Sequence, residues 1–173
     1  PSAPLYLEAN QLREAVAQEA EAAEVADVHT HLFAASYGPP LMEYGIDHLL
    51  TYHYVVAQYL AASAEGAAAF FALRRAEQAE RVWEALFVQR SPLSEACRGI
   101  LTTLHALGLQ EEVAARDLHA IRRWYARQRA EMLNEKVMRL ARVKYVVTSH
   151  DPFDPQQAAR CLAPPPPPPR YRA

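Results

Sequence analysis

The chain has 173 residues, of which 51% are apolar and 22% charged, and its formal net charge is -2. That is the size of one ordinary domain or part of a larger one, with ample apolar material for a core. The near-neutral balance gives no field that would draw the chain to nucleic acid or to an anionic membrane.

No apolar run approaches the ~20 residues that a bilayer-spanning helix needs, and the N-terminal residues lack the organisation of a signal peptide. Two cysteines, Cys97 and Cys161, lie far apart without C-x-x-C spacing, which points to a reducing compartment and to no cysteine-based zinc cluster. The expectation is a soluble cytoplasmic protein.

From Leu7 to about Glu24 the chain is rich in Ala, Glu and Gln, strong helix formers. Leu12, Val16 and Ala20 give this capping helix one modest apolar face. The run Val25–Phe33 then reads as a β-strand. Alternate strand residues share a face, so Asp27, His29 and His31 project together, with Ala26, Val28, Thr30 and Leu32 on the other side. Two imidazoles two residues apart at a strand end can converge on one cation, although an H-x-H triplet also arises by chance. Ala34 to Pro40 is a loop by composition, leaving the strand end that carries the histidines.

A long helical section extends from about Ile46 to Ala141. Its first helix places Ile46, Leu49, Leu50, His53, Ala57 and Leu60 on one face, with Tyr54 at that face's edge. A second covers roughly Ala67 to Val88. Ser91-Pro92 reads as the start of a third, an N-cap serine with proline at the first helical position, and Gly108 as its C-cap. A fourth turns Val113, Ala120, Ile121 and Trp124 inward. Its basic residues Arg122 and Arg123, with Arg127 and Arg129, read as a solvated face or, alternatively, a subunit contact. The last runs from about Ala130 to Arg142.

The period then changes. Val143–Thr148 is β-branched and aromatic and reads as a second strand. It ends in the turn-rich Ser149-His150-Asp151-Pro152-Phe153-Asp154-Pro155. After a short polar helix, Pro164 to Pro169 favour an extended polyproline II segment. Two strands separated by a long helical section cannot make a sheet with satisfied edges, so this layout reads as the opening portion of a β/α protein.

Four blocks in this order resemble the uronate isomerase (glucuronate isomerase) family of the metal-dependent amidohydrolase superfamily. They are Asp27–His31; Tyr44-Gly45-Ile46-Asp47-His48-Leu49-Leu50-Thr51-Tyr52-His53-Tyr54; Ser91 to Leu101; and Val146 to Asp154. The H-x-H pair is common to the superfamily, and the second and third blocks carry the resemblance to this family.

The resemblance implies an α/β fold, the start of a metal-dependent (β/α)8 TIM barrel with a large helical insertion between its strands 1 and 2. On that basis residues 1–35 hold the N-terminal helix and strand 1, 36–141 the insertion, and 142–173 strand 2 and the following loop. Arg170–Ala173 would lead into strand three. A complete member would be more than twice as long, so the isolated chain is expected to be inactive.

In a barrel the C-terminal strand ends form the active face. The resemblance implies that His29 and His31 bind a divalent metal, usually zinc, whose other ligands come from later strands. It also implies interconversion of an aldose uronate and a ketose uronate, D-glucuronate with D-fructuronate or D-galacturonate with D-tagaturonate, through a cis-enediol. Tyr54 matches a family tyrosine implicated in substrate contact or proton transfer, and His53 is the adjacent candidate.

Each residue also has a plainer role. Asp27 can fix the histidines, His53 can be a hydrogen-bonded core residue, and Tyr54 can pack between helices. His150 and Asp151 can belong to their turn, and His48, His105 and His119 read as surface or boundary residues. The implied partner is a small uronate, with a homo-oligomer possible. The rival functions are a superfamily metal-dependent hydrolase and a non-catalytic helical binding module.

Overall fold

The computed structural model describes residues 8–38, 44–149, 151, 153–162 and 169–172. Helix α1 (Ala9–Ala22) precedes strand β1 (Val25–Thr30), and a 3-10 turn follows at Ala35–Tyr37. The helical section comprises α2 (Ile46–Leu50), α3 (His53–Ala62), α4 (Ala67–Phe71), α5 (Arg75–Trp83), α6 (Glu95–Leu107), α7 (Gln110–Ala114), α8 (Leu118–Ala126) and α9 (Ala130–Leu140). Strand β2 (Val143–Thr148), helix α10 (Pro155–Leu162) and strand β3 (Tyr171–Arg172) complete the order.

The three strands form one parallel sheet in the order β1-β2-β3. The expected lead into a third strand at Arg170–Ala173 is therefore present as Tyr171–Arg172, opposite Val146–Val147 of β2. Strand β1 stops at Thr30, short of Phe33, and its register against β2 shifts between Asp27 and Thr30. Phe33 instead turns into a small cluster with Tyr37, Met138, Val146 and Tyr171 that seats α9 on the sheet. Asn134 of α9 donates to the Phe33 carbonyl at 2.9 Å and fixes that turn.

The main core lies in the helical section, around Leu50, Phe70, Val82, Leu104 and Ile121. Trp83 stacks on Phe87 with ring centres 4.9 Å apart. By contrast the apolar face of α1 is uncovered, with Leu12 and Val16 exposed, and Val28 of β1 is 70% exposed.

Several local expectations are corrected. The helix read through Ile46–Leu60 breaks at Thr51-Tyr52. The Thr51 hydroxyl donates back to the Asp47 carbonyl at 2.7 Å, and Tyr52 takes extended backbone angles that cap α3. The restart changes the helical phase, so Val55, Val56 and Tyr59 enter the core while His53 and Tyr54 face outward. His53 is thus not a core histidine.

The run Ala67–Val88 splits into α4 and α5, and the latter passes into a π-helical turn at Glu84–Val88. The true cap of α6 is Ser94, whose hydroxyl accepts from the Cys97 amide at 3.2 Å, rather than Ser91. Gly108 ends α6 as expected, at φ 91°, a left-handed conformation that glycine adopts without a Cβ penalty. Asp117 divides the next helix into α7 and α8, and Leu118, Ile121 and Tyr125 are its buried residues.

Arg122 also departs from the expected solvated face. Its side chain is 20% exposed and joins α8 to Asp47 of α2 at 2.9 Å and Glu80 of α5 at 2.6 Å. It also donates to the Ala76 carbonyl at 2.8 Å. Tertiary packing turned a basic surface residue into a three-helix tie.

Candidate functional site

The candidate site forms where β1 and β2 end. Ser149, one residue past β2, donates its amide to the Thr30 carbonyl at 3.0 Å and closes the ladder there. His31 lies one residue past β1. Asp27 Oδ1 accepts from the His29 amide at 3.1 Å, which bends the carboxylate onto the backbone between them.

The His29 and His31 rings stand edge to face with centres 5.5 Å apart. That spacing suits a shared cation. With Zn–N about 2.1 Å and a ring centre about 1.1 Å beyond the nitrogen, two imidazoles at a tetrahedral angle have centres about 5.2 Å apart. His29 Nδ1 lies 3.0 Å from Ser149 Oγ. In the tautomer where Nδ1–H donates to that hydroxyl, Nε2 keeps its lone pair for a metal, the arrangement that ligating histidines commonly show. The pair fits as two donors. A catalytic zinc takes about three protein ligands, and among the described residues no group of three His, Cys, Asp or Glu side chains could hold a metal ion.

The break between α2 and α3 brings further rings to the same place. His53 lies 6.5 Å from His31, and Tyr52 lies 6.0 Å from His31 and 4.2 Å from His53, centre to centre. Tyr54, 64% exposed, packs beside His53 at 4.1 Å. The four residues expected from the sequence are therefore neighbours. His29, His31 and Tyr52 line one cavity of about 480 Å³ with Asp27, Tyr44 and Asn134. Tyr52 and Tyr54 line a second of about 800 Å³ between α3 and α6, with Ser94, Glu95 and Ile100.

Tyr44 donates its hydroxyl to the Tyr125 carbonyl at 3.2 Å, tying the segment before α2 to α8. Burial, and then the nearby Glu131 carboxylate, push the Tyr44 phenol up. Burial does the same more strongly to Tyr125. Both stay protonated wall residues.

Asp151 belongs to its turn, with Oδ1 accepting from the Phe153 amide at 2.9 Å and its own amide donating to Gln157. His150 lies outside the described residues, as does most of the proline run. His48 is not a plain surface residue, because Arg75 of α5 reaches its Nδ1 at 3.0 Å. Sequence reasoning missed Ser149 and Tyr52 as site neighbours. Ser149 directly follows a strand that pairs with the H-x-H strand, a signal that could have found it.

No family model and no curated protein matches the chain. Among solved structures, a uronate isomerase from Bacillus halodurans C-125 is 40% identical with a TM-score of 0.86, over 96% of this chain. The chain is similar to that uronate isomerase in sequence and in fold. It spans 39% of the length of that isomerase. At 96% of this chain the similarity extends through the helical section as well as the sheet. No helix among the described residues is long and apolar enough to cross a membrane.

Proposed function

We propose that this chain serves in a uronate isomerase, interconverting D-glucuronate and D-fructuronate, or D-galacturonate and D-tagaturonate. The observation that carries the reading is the clustering of His29, His31 and His53 at one strand end, with Tyr54 beside His53, on a chain similar in structure to a uronate isomerase. The sheet belongs to a (β/α)8 barrel in this reading, with the helical section inserted between strands 1 and 2.

The reaction moves a proton between C2 and C1 of the sugar through a cis-enediol. It needs a base at the carbon, stabilisation of the developing oxyanion and a cationic hold on the carboxylate. His29 Nε2 and the His31 ring would hold a divalent metal, zinc in the first instance, together with donors from elsewhere in the barrel. Such a cation polarises sugar oxygens and orients them. The exposed Tyr54 hydroxyl meets the substrate or passes its proton, and His53 beside it is the adjacent proton carrier. Ser149 fixes the His29 ring in the tautomer that leaves Nε2 open. The arginines for the carboxylate lie outside the chain in this reading, so turnover is expected only where the barrel is complete.

The test is a chimera in which this chain replaces the corresponding segment of the Bacillus halodurans isomerase, supplied with zinc and either uronate. Ketouronate formation that is lost on H29A or H31A supports the reading. A folded, zinc-loaded chimera that hydrolyses an amide or lactone and leaves both uronates untouched refutes it in favour of the hydrolase.

A further inference from the structure

We infer that Tyr52 is a positioning residue of this site, its ring holding His31 and His53 in their relative places. A histidine ligand is ordinarily oriented by a hydrogen bond to its second nitrogen. His29 has such a partner in Ser149 Oγ at 3.0 Å. His31 does not, because among the described residues no hydrogen bond holds its ring. It is exposed and lies beyond the strand, where the ladder no longer constrains it. What surrounds the ring is aromatic: His29 at 5.5 Å, Tyr52 at 6.0 Å and His53 at 6.5 Å. Rings at these separations prefer edge-to-face arrangements, and all three contacts are of that kind.

The backbone fixes Tyr52 on both sides. Its amide donates to the Leu49 carbonyl, and its carbonyl accepts from the Val55 and Val56 amides at 2.9 and 3.0 Å. It therefore belongs to the last turn of α2 and the first of α3 at once, and the core residues of both helices anchor it. Its ring touches His53 at 4.2 Å and Tyr54 at 5.6 Å and lines both cavities. The helical section thereby reaches the strand end through this side chain and through His53. Removing the ring would free the His31 imidazole to rotate and open the wall that the cavities share.

Only the zinc arm of the test rests on the proposed function. Histidine ring C–H resonances of the full chain, without metal, report where the His31 and His53 rings stand. Y52A is expected to shift both sets while Y52F leaves them in place, since the ring and not the hydroxyl carries the effect. Zinc titration of the chimera by calorimetry is expected to show about a tenfold loss of affinity in Y52A, at the lower end of what ligand-supporting partners confer, and wild-type affinity in Y52F. Y52L preserves apolar bulk if Y52A does not fold, and is expected to behave like Y52A.

Wild-type ring resonances in a folded Y52A or Y52L overturn the inference, as does a Y52F that loses as much as Y52A. A folded chimera with the wild-type Tyr52 that takes up no zinc refutes the metal reading alone, and the resonances still decide the role of Tyr52.

Discussion

Replacing Arg122 with alanine tests whether the helical section is tied together by one side chain. The guanidinium spans α2, α5 and α8 through Asp47, Glu80 and the Ala76 carbonyl. Burial works against its charge, but the hydrogen bonds it donates to Glu80 and Asp47 outweigh that and hold it cationic. The Asp47 contact joins side chains 20% and 26% exposed, whereas Glu80 is 52% exposed.

A hydrogen bond to a charged group is worth about 1.5–3 kcal/mol where water is limited, and an exposed ion pair about 0–1 kcal/mol. Discounting Glu80 accordingly, R122A should cost about 3 kcal/mol. For a chain of this size that is a fall in Tm of roughly 6–12 °C. R122K keeps the charge but cannot reach three partners with one ammonium, and should lose about half as much. E80Q should cost less than about 1 kcal/mol. Thermal melts followed by circular dichroism, with urea titrations at 25 °C, read all three. An R122A chain that melts with the wild type would refute the tie and restore Arg122 to the solvated face.

The remaining expectations concern smaller devices. S94A should destabilise by about 1 kcal/mol through loss of the α6 cap, while S91A should leave the urea midpoint unchanged; the reverse order would move the helix start back to Ser91. In the chimera that completes the barrel, H29A and H31A should each abolish tight zinc uptake in calorimetry without lowering Tm, and undiminished uptake in either would remove that residue from the ligand set.

Asp154 caps α10. Backbone hydrogen bonding from Gln156, with the Gln157 side chain, holds its carboxyl below the usual carboxylate range. A lowered folded-state value means the cap is fully present above the unfolded value and is lost as pH falls through the folded one. Amide exchange in α10 should therefore accelerate below about pH 4, and D154N should remove that pH dependence. Exchange rates in α10 that match between pH 7 and pH 3, once corrected for intrinsic rates, would contradict it.

The sequence by itself determined the order of elements, the two main strands and the face shared by His29 and His31. Those are properties of local sequence: the two-residue spacing of His29 and His31, β-branched enrichment over Val143–Thr148, and a left-handed stop at Gly108. The blocks around them also carried the resemblance to uronate isomerases that the solved structure shares.

What local pattern could not settle was phase and partnership. Apolar residues continue across Ile46–Leu60, so nothing in their spacing marks the break at Thr51-Tyr52, which depends on α2 and α3 packing against different neighbours. The same packing enclosed Arg122 by bringing Asp47 and Glu80 to it from 75 and 42 residues away. Ser149 reached His29 across 120 residues because β1 and β2 pair in parallel. The H-x-H motif announced a pair of donors. Only the fold decided which serine orients one of them and which tyrosine stands beside the other, because those contacts form between elements whose separation along the chain carries no local signal.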